Sequence, residues 1–204
     1  MEDMSNDMRT NKEIDAELVK NALTSSDEFG KLIEKYQEPM RRYVRRIAHP
    51  SSDELDILLQ DIFIKVYENL NGFDQDLPFS SWIYRIAHNE AIDHLRRNKH
   101  FGASLDTTIN DSDNITLAET IASDTDIELE IDIQYDKKNI ERVLDEMDPK
   151  YRAVLVLKFL EGRDYNEISD ILRKPPGTIA TLIHRAKKEF KQLAEKKKDQ
   201  LKDI

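Results

Sequence analysis

Apolar residues recur at helical spacing over most of the chain. Asp15 to Thr24 carries a short period of this kind. From Asp27 to His49 the pattern is stronger, with Phe29, Leu32, Ile33, Tyr36, Met40, Tyr43, Val44 and Ile47 on one stripe. Pro39 falls inside that stripe and predicts a kink or break, because proline donates no backbone hydrogen bond and crowds the preceding turn. Pro50-Ser51-Ser52-Asp53 reads as a stop followed by a capping signal. The next stripe (Leu55, Leu58, Leu59, Ile62, Phe63, Val66, Tyr67) runs to about Leu70, and Asn71-Gly72 ends it. Residues 73–78 predict a loop, after which Ser80 or Ser81 can cap a helix reaching about Asn98. Helical periodicity fades over residues 101–136 and returns at Lys137, predicting helices over 137–147, 149–161, 164–172 and 176–196. The fold class expected is all-α, with an N-terminal helical domain over 1–105, an acidic flexible linker over 106–136 and a C-terminal helical domain over 137–204.

Composition narrows the function. The 204 residues include no Cys, which removes disulfides and thiolate metal sites and fits a reducing cytoplasm. No apolar run is long enough to span a bilayer, and the polar N-terminus lacks a signal-peptide core, so a cytoplasmic protein is expected. The formal net charge of −10 argues at first against a nucleic-acid partner. Its distribution reverses that inference. Residues 106–136 hold ten acids and no Lys or Arg, which equals the whole excess. Residues 31–52 carry six bases against two acids, and residues 184–204 carry eight against four. Basic patches thus flank an acidic strap.

The C-terminal pattern is specific. Asp164 is placed to cap a short amphipathic helix, with Glu167 completing a capping box. Arg173-Lys174-Pro175-Pro176-Gly177-Thr178 turns the chain, and a second helix follows with Ile179, Leu182, Ile183, Ala186 and Phe190 inward. Two short helices joined by a tight turn, with the small Ser169 where they cross, form a helix-turn-helix. Thr178, Ala180, Thr181 and His184 would then face base edges in the major groove, with Arg185, Lys187 and Lys188 suited to phosphates. A plain helical hairpin with solvated lysines is the competing reading. The run Lys196-Lys197-Lys198 reads as a solvated helix end.

Phe79 to Lys99 carries a second constellation. Ile83, Ala87, Ala91 and Leu95 make an apolar row, while Arg85, Asn89 and Arg96 fall on another. The bases Arg85, Arg96 and Arg97 suit phosphates. Phe79, Trp82, Tyr84 and the Asn89 amide suit unpaired bases, by stacking and by edge hydrogen bonds. Trp82 serves equally well as core. His88 and His94 have neither metal nor triad spacing and read as helix-surface residues. No metal site or cofactor is expected.

These blocks resemble the extracytoplasmic-function (ECF) group of bacterial RNA polymerase sigma factors. The resemblance rests on Phe29–Tyr43, Leu59-Gln-Asp-Ile-Phe63 with Tyr67, Phe79–Arg97 and Leu144–Lys188. The last block includes Tyr151-Arg-Ala-Val-Leu, Phe159-Leu-Glu-Gly162, Tyr165-Asn-Glu-Ile168 and Gly177-Thr-Ile179. They stand in the family's order and cover nearly all the chain except its ends and the acidic linker. The resemblance implies a transcription initiation factor with no catalysis of its own, with core RNA polymerase and promoter DNA, duplex and single-stranded, as partners. It implies polymerase binding at Leu59, Gln60, Asp61 and Phe63. Opening of the −10 element would fall to the loop 71–79, Phe79, Trp82, Tyr84, Arg85, His88, Asn89, Arg96 and Arg97. Reading of the −35 element would fall to Thr178 through Lys188. Family members are often held by an anti-sigma protein, which makes that a further implied partner.

The chain departs from the family in places. Arg173 stands where the turn often has Gly, and Lys174 at a neighbouring apolar position. Ala180 and Leu182 stand where a Lys and an Arg are common, and Ile57 replaces an Asp near the polymerase contact. The base-reading face is thus less basic than usual. A stand-alone helix-turn-helix regulator is the alternative, distinguished by its having no need of the 53–70 helix. A hydrolase lacks any nucleophile motif, phosphate loop or metal-ligand spacing to support it.

Overall fold

The computed structural model describes residues 2–102 and 137–200, with side chains over 11–98 and 139–198. The acidic segment 106–136 lies outside the described residues. Among the described residues eight α-helices run in chain order: α1 (Glu2–Ala22), α2 (Ser26–Ala48), α3 (Ser52–Asn69), α4 (Phe79–Gly102), α5 (Lys137–Glu146), α6 (Pro149–Leu155), α7 (Tyr165–Leu172) and α8 (Pro176–Gln200). They form two compact units, one built on α1–α4 and the other on α5–α8.

In the first unit, α2 is the longest buried stripe. Ser25 caps it and accepts from Asp27 N–H. The helix passes through Pro39 without a break, contrary to the expectation from sequence. The residues flanking the proline explain this: Tyr36, Met40, Tyr43 and Val44 are buried, and their packing outweighs the lost hydrogen bond. His49 closes α2 in the left-handed region, at φ 48°. The first helix starts earlier than its apolar period suggested and is pinned by a polar contact. Asp15 is buried, accepts 2.6 Å from the Tyr36 hydroxyl and lies 2.8 Å from Lys35 Nζ. A carboxylate in that position is stabilised only while both partners remain.

The capping signal before α3 is realised in full. Ser51 Oγ accepts from Glu54 N–H, and Glu54 Oε2 accepts 2.8 Å from Ser51 N–H. A one-turn 3-10 helix at Leu70–Gly72 ends the element. The start of α4 differs from expectation. Neither Ser80 nor Ser81 caps it: the helix begins at Phe79, the Pro78 carbonyl accepts from Trp82 N–H, and Ser81 is buried. Proline cannot continue a helix from its N-terminal side, so the boundary falls at Pro78 itself. The interior of the unit is Leu55, Leu58, Ile62 and Val66 of α3 against Ile83, Ala87 and Ala91 of α4 and the α2 stripe.

In the second unit, Asp148 caps α6 and Pro149 occupies its first position. The single helix predicted over 149–161 is two segments. After Leu155 the chain widens into a π-helical turn at Val156–Leu160, in which Glu161 N–H reaches the Val156 carbonyl at 2.9 Å. Gly162 then reverses the chain at φ 66°, a value a side chain would resist. Arg152 is buried, and its guanidinium donates to the carbonyls of Asp145 and Met147, tying the end of α5 to α6. Burial pushes its pKa down, opposed by Asp145 and Asp148.

Two predictions follow from these contacts. Asp15→Ala, which leaves the Tyr36 hydroxyl and Lys35 without their acceptor, should destabilise the first unit by about 2 kcal/mol in urea unfolding, and Tyr36→Phe by about 1 kcal/mol. The Glu54 carboxyl is held below the usual carboxylate range, first by the Ser51 hydroxyl, then by the Ser51 amide, with smaller contributions from His94 and Asn98. A lowered folded-state pKa means the contribution is complete above the ordinary carboxylate pKa and lost as pH falls through the lowered one. Carboxyl-carbon NMR should therefore show Glu54 titrating low, and Ser51→Ala should move it up toward the ordinary value.

Candidate nucleic-acid interface

The helix-turn-helix is built by backbone hydrogen bonds. Asp164 Oδ1 accepts from the N–H groups of Asn166 and Glu167 at 2.8 Å each, and Glu167 Oε2 accepts from Asp164 N–H at 2.9 Å. Arg163 pairs with Glu167 at 3.0 Å. This fixes the start of α7. At its end, Arg173 is left-handed (φ 51°, ψ 46°) and its N–H reaches the Ser169 carbonyl. Lys174 N–H reaches the same carbonyl at 3.2 Å, and Ser169 Oγ donates to the Lys174 carbonyl at 2.6 Å. Ser169, expected only as a small residue at the crossing, thus also holds the turn. Arg173 endures a backbone conformation costing about 1 kcal/mol relative to glycine.

Pro176 and Gly177 begin α8. Ile179, Leu182, Ile183, Ala186 and Phe190 are buried against Ile168, Ile171 and the α6 core. Their periodicity turns Ala180, His184 and Lys188 to solvent and leaves Thr178, Thr181, Arg185 and Lys187 at the margins. Thr181 Oγ1 bonds the Gly177 carbonyl. Lys187, assigned to phosphates from sequence, lies over the Phe159 ring at 5.3 Å. Leu182, at a position where the family often has Arg, is 5% exposed and belongs to the core.

The α4 surface is partly what the sequence suggested. Asn89, Arg96 and Arg97 are exposed, and Arg85 is half-buried. Arg96 lies 3.4 Å from Asp93, both exposed, an ion pair of small energy. Phe79 and Tyr84, assigned to base stacking, are instead 3% and 1% exposed. Phe79 meets Tyr36 edge-on at 5.4 Å, and Tyr84 meets Tyr43 at 5.2 Å. Burial of these rings secures α4 to α2 and takes them off the surface. Trp82 is half-buried, with Phe73 at 5.0 Å and Phe79 at 5.6 Å. Phe73, overlooked in the sequence because it lies in a loop, supports that indole. His88 is half-buried, its Nδ1 3.0 Å from the Tyr43 hydroxyl. His94 is buried, its Nε2 3.0 Å from Asn98 Nδ2 and 4.0 Å from Glu54. The two histidines are therefore packing residues rather than surface ones: side chains of α2 and α3, Tyr43 and Glu54 among them, lie against them.

A third surface lies between α2 and α3. A groove of about 760 Å³ is lined by Phe29, Ile33, Leu59, Phe63, Ile64 and Tyr67 among others, with Gln37, Gln60 and the Arg41–Asp56 pair at its edges. Leu59 and Phe63 are its buried floor, Gln60 is exposed, and Asp61 is half-buried outside the lining. Ile64 (46% exposed) and Tyr67 (51%) stand open, as does Ile57 (59%) farther along α3. The pattern of α3 assigned Tyr67 to the apolar side, which is correct only for the ring edge that meets Phe29 at 5.1 Å.

Residues 32–101 match the family model for sigma-70 region 2, and residues 137–190 match that for sigma-70 region 4. The ECF RNA polymerase sigma factor SigW of Bacillus subtilis is 30% identical over 167 residues, covering 81% of this chain and 88% of that protein. The chain belongs to the ECF RNA polymerase sigma factors. It is a transcription initiation factor, without enzymatic activity, that directs RNA polymerase to promoters. The ECF sigma-E factor of Escherichia coli is 29% identical over 159 residues, 78% of this chain and 82% of that one. Among solved structures, CnrH in complex with the cytosolic domain of CnrY aligns with a TM-score of 0.63 at 20% identity, over 89% of this chain and 97% of that one. The sigma factor RpoE in complex with the anti-sigma factor NepR from Bartonella quintana aligns at 0.60 and 17%, over 82% and 97%. Both support the fold. No described helix is long and apolar enough to cross a membrane.

The burial of Leu182 yields a test. Restoring the familiar charge there should damage the factor: Leu182→Arg should destabilise the second unit by about 3 kcal/mol in thermal or urea unfolding, since it forces a guanidinium into an apolar interior. Ala180→Lys, on the exposed face, should leave stability within about 0.5 kcal/mol of the parent.

Proposed function

We propose that the factor, acting in the cytoplasm, divides its work among these three surfaces. Polymerase docks on the α2–α3 groove, with Leu59 and Phe63 beneath, Gln60 and Asp61 beside it, and Ile64 and Tyr67 as the apolar anchors. The exposed face of α4, with Arg85, Asn89, Arg96, Arg97 and the accessible part of Trp82, receives the opened −10 strand. Phe79, Tyr84 and His88 support that face from behind. Thr178, Ala180, Thr181 and His184 face the −35 bases, while Arg185, Lys187 and Lys188 lie toward the backbone. Residues 1–105 and 137–204 are the two working domains, and 106–136 tethers them.

The observation that carries this reading is the open apolar groove on an otherwise highly charged chain. Exposed isoleucine and tyrosine around a concave floor are characteristic of a protein-binding surface. A stand-alone DNA-binding regulator has no need of one. Strand opening then draws its free energy from polymerase contacts and from capture of unstacked bases. A chain whose basic modules are balanced by acids binds duplex weakly alone, because non-specific affinity follows the number of phosphates neutralised. An anti-sigma protein that covers the groove or holds the two domains together would silence the factor. The solved complex of a sigma factor of similar fold with an anti-sigma factor favours such a partner.

Run-off transcription with core polymerase on a promoter library is the direct test. Within it, Tyr67→Asp combined with Ile64→Asp should weaken core binding at least tenfold at unchanged thermal stability. Unaltered core affinity in that variant would remove the groove from the polymerase interface.

A further inference from the structure

The reading end of α8 is short of cations. Its exposed or marginal N-terminal side chains are Thr178, Ala180, Thr181 and His184, with no Lys or Arg among them. Of the bases farther along, Lys187 sits on the Phe159 ring, and Arg185 is engaged within the fold. A strong cation stands instead in the turn. Arg173 is exposed, and among the described residues its guanidinium has neither an ion pair nor a hydrogen bond. It occupies a left-handed position, φ 51°, where glycine would sit without strain. Its backbone is held firmly: the N–H groups of Arg173 and Lys174 share the Ser169 carbonyl, and the Ser169 hydroxyl fixes the carbonyl of Lys174. A strained backbone with an unpartnered charge, immediately before the recognition helix, is the mark of a position retained for contact rather than stability.

We propose that Arg173 contacts a phosphate of the −35 duplex, moving to the turn the positive charge that α8 lacks on its reading face. The inference rests on the assignment of α7 and α8 to the −35 element. A helix that enters the major groove by its N-terminus brings the preceding turn to the groove edge, where the phosphates run. Arg173 lies five positions before Thr178, and a guanidinium on a fixed backbone pairs with phosphate oxygens in a defined geometry.

The test uses the holoenzyme with the parent factor and with Arg173→Gly, Arg173→Ala and Arg173→Lys. The probe is a labelled duplex promoter recovered by the parent holoenzyme from a randomised library, titrated at several KCl concentrations. Arg173→Gly should raise the Tm of the free factor by roughly 4 °C while lowering promoter affinity about fivefold and reducing the salt slope by about one. Arg173→Ala should show the same loss without the rise in Tm, and Arg173→Lys should keep most of the affinity. Core polymerase binding should be equal in all four proteins. Parental affinity and salt slope in the Gly and Ala variants would make Arg173 a solvated side chain and overturn the proposal, as would a fall in core binding that accounts for the lost affinity. Failure of the parent holoenzyme to recover any promoter would overturn the initiation assignment and this inference with it.

Discussion

Burial of one face of α4 fixes which of its residues the first unit presents to its surroundings. Ile83, Ala87 and Ala91 are fully covered, and two of the three are alanine. Phe79 and Tyr84 of α4 meet the α2 tyrosines edge-on, so large rings fill the space between the two helices. Each large apolar side chain so buried contributes about 1.5–3 kcal/mol. The rotation of α4 about its own axis is therefore fixed by packing. Once it is fixed, helical periodicity alone sends Asn89, Arg96 and Arg97 to solvent. The same packing of side chains buries His94 and ties His88 to Tyr43, and Lys65 of α3 pairs with the buried Glu90 of α4.

The second unit reaches an equivalent result by different means. Three of its helices, α5, α6 and α7, are short, so hydrogen bonds at their ends carry more of the definition: a reciprocal box at Asp164 and Glu167, a shared carbonyl at Ser169, and Arg152 bridging α5 and α6. Helices of this length are unstable alone. They persist because Ile168, Ile171, Ile179, Leu182 and Ile183 form a common interior. Charge is then left to the margins, and some of it is engaged locally, as Lys187 is on Phe159 and Lys158 on Tyr165.

Much of this was legible in the sequence, for local reasons. Capping residues act within three positions of one another, so the capping signal before α3 and the box at Asp164 could be read directly. Apolar stripes of 3.6 period marked the helices and most of the core. What failed to show was decided by tertiary packing. Pro39 should interrupt α2 on propensity, but Tyr36, Met40 and Tyr43 hold the helix on both sides. Phe79 and Tyr84 looked available for base contacts, and His94 for solvent, because sequence gives the type of a side chain and not what lies against it. Trp82 was undecidable for the same reason, and it ended half-covered. Tyr67 counted as apolar and Ile64 fell outside the stripe, yet both stand open at a groove between two helices, which no single stripe records. The roles of Asn89, Arg97 and Thr181 in DNA contact stay expectations drawn from the family pattern and from exposure.

The wide turn at Val156–Leu160 has a consequence for register. A π-helical turn holds one residue more than an α-helix would over the same path, and one residue corresponds to about 100° of rotation. The extra residue explains why Phe159 and Leu160 stand outside a segment whose preceding residues are all interior. The ring on which Lys187 of α8 rests is thus placed by a count of residues as well as by their chemistry. A family that changed every surface charge could keep that ring outside, whereas loss of a single position before Phe159 would turn it inward and leave Lys187 without it.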